Sequence, residues 1–279
     1  MKKCGTYTWF GYTDPFSERL KAIKEAGFDT ICTFWTKEME SMDAERLLQP
    51  ELADKAGLYL EHTHLSYFGC DALWNDDIKA KEMVAGYMED IKLAHKAGVP
   101  TVVIHPCEIY VPDMARYPIF YENMRNIADV CASLYIKLAI ENLGENIAIR
   151  RILNDLSDNP FVGLCFDSGH NNVVNHDDFS LLKDYSGRIF ALHIHDNNGV
   201  KDEHILPYSE GCTVNWRHFS EEIEETGFEG SLMLEACFPI DYDSLDGKND
   251  GEYIAPSYPM KEWLNEAKAA CERIYTDKI

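Results

Sequence analysis

Six short apolar runs in this chain carry metal-liking side chains at or near their ends. They are Tyr59-Leu-Glu-His-Thr-His64, Thr101-Val-Val-Ile-His105, Leu138-Ala-Ile-Glu141, Leu164-Cys-Phe-Asp167-Ser-Gly-His170, Ile189-Phe-Ala-Leu-His193-Ile-His195-Asp196 and Leu232-Met-Leu-Glu235. An isolated carboxylate or imidazole at the tip of a buried run is costly to desolvate. Six such tips imply that the groups meet one another around a cation, and metal-assisted catalysis is the expected chemistry.

The runs also say which elements hold these groups. Each is short, aliphatic or aromatic, and mostly followed by turn residues, as in a strand buried on both faces of a parallel sheet. With two earlier runs, strands are expected near residues 4–10, 29–35, 59–65, 101–105, 137–142, 162–167, 188–195 and 231–236. Amphipathic helices are expected between them at 15–26, 43–56, 76–97, 121–134, 146–156, 177–185, 215–226 and 259–275. Several stop at glycine, as in Ala26-Gly27, Ala56-Gly57, Ala97-Gly98 and Thr226-Gly227, where a left-handed cap returns the chain to the sheet. Eight such units predict an α/β fold, a single (β/α)8 TIM barrel over residues 1–279. An open doubly wound sheet is the alternative, but no Gly-x-Gly-x-x-Gly follows the first strand.

In a barrel the carboxyl ends of all strands open onto one face, so distant tips converge. The expected pocket contains His64, His105, Glu141, Asp167, His170, His193 and Glu235. Connections at 66–75, 106–118 and 196–214 would wall it, bringing Tyr67, Phe68, Trp74, Tyr110 and Tyr117, while Trp9, Phe10, Tyr12 and Trp35 follow earlier strands. Aromatic faces beside carboxylates suit a sugar, and ordinary loop packing is the competing account of each ring.

Composition narrows the classes. A chain of 279 residues with 46% hydrophobic content can bury a large core. Residues 1–14 offer no apolar stretch of signal-peptide length and no run approaches a membrane span, so a cytoplasmic protein without membrane association is expected. Nine scattered cysteines without a Cys-x-x-Cys pair indicate neither a disulfide framework nor a zinc knuckle. A formal charge of −22 opposes nucleic-acid binding, which relies on basic side chains at phosphates. Phosphate-binding loops, nucleophile elbows and His-Glu-x-x-His helices are absent from the sequence.

Leu192-His193-Ile194-His195-Asp196-Asn197-Asn198-Gly199-Val200-Lys201-Asp202-Glu203-His204, continuing to Pro207, Glu210-Gly211 and Asn215-Trp216, resembles the seventh-strand signature of the xylose-isomerase-like barrel superfamily. Ala139-Ile140-Glu141-Asn142 and Cys165-Phe166-Asp167-Ser168-Gly169-His170 are similar to its fifth- and sixth-strand motifs. The resemblance runs from the first strand to Glu235. It implies a sugar, sugar-phosphate or keto-inositol isomerase or epimerase, working by proton transfer through an enediolate that a metal stabilises. One divalent ion (manganese, zinc, cobalt or magnesium) would be held by Glu141, Asp167, His193 and Glu235, with Glu141 and Glu235 as base and acid. His64, His105, His170, Lys201 and His204 would contact a small carbohydrate, with Asn197 another candidate.

Residues two apart on a strand share a face, so parity alone separates neither His62 from His64 nor His193 from His195. The family register picks His64 and His193, and leaves His195 as a neighbour of the ligands or a core histidine. Lys37, Arg116, Lys201 and Arg217 are the candidates for a phosphate, so a free ketose or keto-inositol is at least as well matched. The alternative from the same superfamily is a zinc-dependent apurinic endonuclease-like phosphodiesterase. Its three-zinc ligand types are all present in His64, His105, Glu141, Asp167, His170, His193, Asp202, His204 and Glu235. The connection at 238–257 is long for a barrel and leaves a lid or a homo-oligomer contact open.

Overall fold

The computed structural model describes residues 3–37, 39–40, 43–108, 112–238 and 257–276. Eight strands, β1 (Cys4–Tyr7), β2 (Thr30–Trp35), β3 (Tyr59–Leu65), β4 (Thr101–Ile104), β5 (Lys137–Glu141), β6 (Val162–Asp167), β7 (Ile189–His193) and β8 (Leu232–Leu234), form one parallel sheet. Its order is β7-β6-β5-β4-β3-β2-β1-β8. The two outer strands meet where Ile194 N–H donates to Met233 O at 2.8 Å and Glu235 N–H donates to Ile194 O at 2.9 Å. The fold is therefore the expected single (β/α)8 TIM barrel.

The outer layer consists of α1 (Phe16–Glu25), α2 (Gln49–Lys55), α3 (Ile78–Lys96), α4 (Tyr117–Leu134), α5 (Asn146–Asp155), α6 (Ser168–Val174), α7 (Ser180–Asp184), α8 (Trp216–Glu225) and α9 (Met260–Thr276). Apolar spacing explains how the longer helices pack. In α8, Trp216, Phe219, Ser220 and Ile223 recur every three or four residues and are the buried set. The expected glycine caps form, as at Gly98 with φ +82°. By contrast, α4 ends on Tyr135, a side chain held at φ +57° and left exposed.

The differences from expectation have local causes. β1 stops at Tyr7, and β7 stops at His193, so His195 lies in the loop above the barrel. The segment 43–56 splits into a short 3-10 turn and α2, whose first turn holds Pro50. α4 starts four residues early because Pro118 suits a helical first turn. α6 was not expected, since Ser168-Gly-His-Asn-Asn lacks good helix formers. No helix among the described residues is long and apolar enough to cross a membrane.

Candidate active site

Glu141, Asp167 and His193 are the last residues of β5, β6 and β7, and Glu235 directly follows β8. Asp167 pairs in register with His193, which places their side chains next to each other on neighbouring strands. One ligand atom from each of these four lies within 4.8 Å of the others. Glu141, Asp167 and His193 are fully buried. The loop after β7 doubles back through Asp196 and Ile205, whose backbones exchange hydrogen bonds of 2.8 and 3.1 Å. That reversal brings Asp202 and His204 over the barrel mouth, and His204 adopts φ +48° there. Backbone held in this region is a feature of constrained functional loops.

The sixth-strand motif now has a physical reading. Asp167 Oδ1 accepts the His170 N–H at 2.6 Å and so caps α6 while facing the site. Asn142 acts as a surrogate strand: its amide donates to Asp167 O at 2.9 Å and its oxygen accepts Asp167 N–H at 2.7 Å. Gly169 is required because a Cβ there would fall 1.9 Å from the ring of His195. Ser168 Oγ donates to His195 O at 2.8 Å and accepts His195 N–H at 3.0 Å, locking the β7 loop to α6. Asn197, a sequence candidate for substrate contact, donates instead to Gly169 O at 2.9 Å.

Glu141 is the hub. Its Oε1 lies 3.1 Å from His170 Nδ1 and 3.5 Å from His105 Nε2. Its Oε2 lies 3.3 Å from His64 Nε2 and 3.0 Å from His193 Nδ1, and the latter is also 2.9 Å from Glu235 Oε2. Beside it, Asp202 Oδ2 is 3.2 Å from His170 Nε2 and 3.1 Å from His204 Nε2. His195 Nε2 is 3.1 Å from Asp167 Oδ1 and 3.7 Å from Asp202 Oδ1. Among the described residues five groups have metal-ligand spacing: the central quartet, His64 with His105 and Glu141, His170 with His195, Asp202 and His204, Cys165 with Glu141 and His193, and Cys32 with His62 and His193.

Hydrogen bonding tests whether these residues fit a metal. His64 Nδ1 sits 2.6 Å from Leu65 O, and His204 Nδ1 sits 2.9 Å from Glu235 O. A carbonyl only accepts, so each ring carries its proton on Nδ1 and turns Nε2 toward a carboxylate. Between a neutral Nε2 and that oxygen there must be a proton or a cation. Carbonyl-oriented imidazoles are characteristic of metal ligands. Glu141 Oε1 and Oε2, Asp167 Oδ2, His193 Nδ1, both nitrogens of His195, Asp202 Oδ1 and Glu235 Oε2 are buried without hydrogen-bond partners. Several of them stand in the ion-pair contacts above, and a divalent cation would satisfy them. Carboxylates with imidazoles suit manganese, cobalt or zinc, and the carboxylate-rich quartet also suits magnesium.

The electrostatics agree. Against burial, Cys165, Glu141 and Glu235 hold His193 well above the ordinary imidazole range. Against burial, His193 and His105 hold Glu141 well below the carboxylate range, and His193 draws Glu235 down to about 2. His204 and His170 likewise lower Asp202, and Asp202 raises His204 to about 10. Burial lowers His105. Protons thus stand between acids and imidazoles where a cation would replace them.

Of the expected substrate contacts, His64, His105, His170 and His204 stand among the ligand groups, while Lys201 is exposed. Of the expected wall, Tyr67 stacks on His105 with centroids 5.3 Å apart and meets His64 edge-on at 5.9 Å. Phe34, not singled out from sequence, lies 5.9 Å from His64. Phe10, Tyr12, Trp35, Trp74 and Tyr117 pack in the core instead. Tyr110 and nearly all of the 238–257 connection lie outside the described residues. Sequence reasoning also passed over Tyr7 and left His62 unresolved, and both touch His193.

A barrel whose strand tips converge on such a donor set defines a class, and the chain belongs to the xylose isomerase-like TIM barrel family, whose profile matches residues 20–251. Among curated relatives it is similar to the uncharacterized protein y4fM of Sinorhizobium fredii, with 27% identity over 267 residues, 82% of this chain and 83% of that one. It is also similar to the uncharacterized protein MJ1311 of Methanocaldococcus jannaschii, with 27% identity over 203 residues, 66% and 64% of the two chains. Similar solved structures include an L-ribulose 3-epimerase, with a TM-score of 0.75 at 16% identity, covering 100% of this chain and 96% of that one. A D-psicose 3-epimerase from Clostridium cellulolyticum H10, solved with D-tagatose, has a TM-score of 0.73 at 16% identity, covering 99% of each. The 3-keto-D-glucoside 4-epimerase of E. coli has a TM-score of 0.69 at 14% identity, covering 99% and 100%. At these identities the likeness is one of fold.

Proposed function

We propose that this chain is a divalent-metal-dependent sugar isomerase or epimerase, taking a ketose, a ketose phosphate or a keto-inositol. The observation that carries the reading is the pair Glu141 and Glu235. They come from β5 and β8 and approach the same nitrogen of His193 at 3.0 and 2.9 Å, with oxygens that have no hydrogen-bond partner. Two carboxylates converging from separate strands can serve the two faces of one carbon, as epimerisation requires. The family, and neighbours named as 3- and 4-epimerases of sugars, support it.

Glu141, Asp167, His193 and Glu235 would hold the ion, which when bound supplies Lewis acidity at the substrate carbonyl. Glu141 and Glu235 take and return the proton at the carbon beside that carbonyl. His64, His105, His170, Lys201 and His204 bind oxygens of the substrate, and Tyr67 shields one side from water. The free thiols of the nine cysteines suit a reducing, cytoplasmic setting. The test is a metal-reconstituted screen of ketoses and their phosphates in D₂O. Deuterium is expected beside the carbonyl of the product. Turnover without label would remove the acid/base assignment and leave the ligands standing.

A second reading, an apurinic endonuclease-like phosphodiesterase, is favoured by one observation: further groups with ligand spacing, among them His64 with His105 and Glu141 and His170 with His195, Asp202 and His204, adjoin the central quartet. Against it stand the charge of −22 and the pairing of mouth-side arginines, Arg116 with Asn75 and Asp113, and Arg217 with Glu221. Elemental analysis separates the two, with about one tightly held ion expected for the sugar enzyme and up to three zincs for the endonuclease. Incision of abasic DNA at physiological salt would overturn the sugar reading.

A further inference from the structure

The reverse side of His193 is occupied by polar groups that the proposed reaction does not use. Its Nε2 lies 3.0 Å from Tyr7 Oη and 3.3 Å from His62 Nε2. Tyr7 comes from β1 and His62 from β3, two residues and one barrel layer below His64. All three side chains are buried to within 1%. The His62 and His193 rings lie face to face at 5.3 Å and 24°, while Tyr7 meets His193 edge-on at 5.3 Å and 80°. His62 Nδ1 has no partner, an expensive arrangement in a barrel interior otherwise lined here by Cys32 and Met233.

A neutral imidazole has one donor and one acceptor. Nδ1 of His193 faces Glu141 and Glu235, so it can ligate a cation only if the ring proton resides on Nε2. That N–H then needs an acceptor in the dry interior. Tyr7 Oη and the lone pair of His62 Nε2 are at hydrogen-bond distance to provide it. We propose that Tyr7 and His62 are positioning residues for His193: they keep its proton on Nε2 and thereby present Nδ1 to the cation. The proposal rests on the reading that His193 is a metal ligand. It gives an unsatisfied buried histidine a reason to be there, and it places the determinant of ligand orientation on strands β1 and β3, away from the metal-binding tips.

Zn²⁺ alone, in competition with a chromophoric chelator, reads the effect on the full chain. Tyr7→Phe and His62→Phe keep ring volume and remove the acceptor; each should weaken zinc about 10- to 100-fold. His62→Gln loses the ring but retains a carbonyl acceptor, and should stay within about threefold of the parent. A packing role orders the His62 variants oppositely, with Phe near the parent and Gln weak, and that order would overturn the proposal. Proton NMR on the zinc-loaded full chain supplies the second readout. The His193 Nε2–H should give a downfield, slowly exchanging resonance in the parent, and in His62→Phe it should move upfield and exchange faster; an unchanged resonance would refute the positioning role. His193→Ala controls for the underlying reading. If that variant binds zinc as the parent does, the ligand assignment itself fails and positioning falls with it. Loss in His193→Ala with both Phe variants unchanged instead overturns positioning alone.

Discussion

The two ends of this barrel bury polar groups in opposite ways. At the amino end several such groups answer one another or the backbone. Thr30 Oγ1 donates to Ser231 Oγ at 2.8 Å, Ser231 Oγ donates to Glu61 at 2.6 Å, and Arg188 donates to Val162 O at 2.8 Å and to Leu153 O at 2.8 Å. At the carboxyl end, carboxylates and imidazoles crowd within ion-pair distance while many of their atoms lack hydrogen bonds. Hydrogen-bonded polar groups stabilise a fold; unanswered ones cost about 1–3 kcal/mol each and persist where something else satisfies them. The contrast teaches that the fold is secured from below and the chemistry is held open above.

The sharpest way to break this division is at the carboxylates. Glu141→Gln and Glu235→Gln keep shape and should each lower turnover by about 10²–10⁴-fold, with the circular dichroism spectrum unchanged. Near-parental turnover in either variant would show that the carboxyl end is organised for something other than proton transfer.

A middle-sized effect compares the two ends directly. Chelation should lower the unfolding temperature by roughly 6–12 °C, the equivalent of about 3–4 kcal/mol for a ligand held at 100 to 1,000 times its Kd. Arg188→Met, which strips donors from carbonyls at the end of α5 and the start of β6, should cost about 2–3 kcal/mol and leave zinc stoichiometry unchanged. If Arg188→Met also loses metal, the ends are coupled and the division is wrong.

How much of this was legible beforehand follows from the same contrast. Strand tips advertise themselves, because Glu141, Asp167, His193 and Glu235 interrupt apolar runs where burial would exclude a charge. The fold followed from the eightfold alternation and its glycine caps. Period-two reasoning reaches its limit inside the barrel, where His62 and His64 both face inward in successive layers, so the question was never which one was buried but what each one touched. Tyr7 reads as an ordinary strand aromatic until its hydroxyl is seen 3.0 Å from His193. α6 escaped notice because its helix depends on the Asp167 cap and on contacts to the β7 loop, and not on the propensities of its own residues. His195 needed Gly169 to explain it: the glycine clears the space in which that ring stands.

The smallest expected effects concern two His–Asp pairs of similar length. His204 Nε2 meets Asp202 at 3.1 Å in the mouth, and His218 Nδ1 meets Asp177 at 2.9 Å on the surface of α8. Both imidazoles are raised by their carboxylates, His204 to about 10 against burial. A raised histidine contributes stability fully below its unfolded value near 6.5 and loses that contribution as pH climbs through the folded value. The chelated protein should therefore lose thermal stability between pH 6.5 and about 10, and Asp202→Asn should flatten the slope. His218 has the same sign, but it and Asp177 are 36% and 57% exposed, so solvent screening limits the pair to about 0.5 kcal/mol or less. Asp177→Asn should move the unfolding temperature by no more than about 1–2 °C at any pH. Equal pH slopes lost in the two Asn variants, measured by scanning calorimetry, would mean that burial at the mouth adds nothing to the pair.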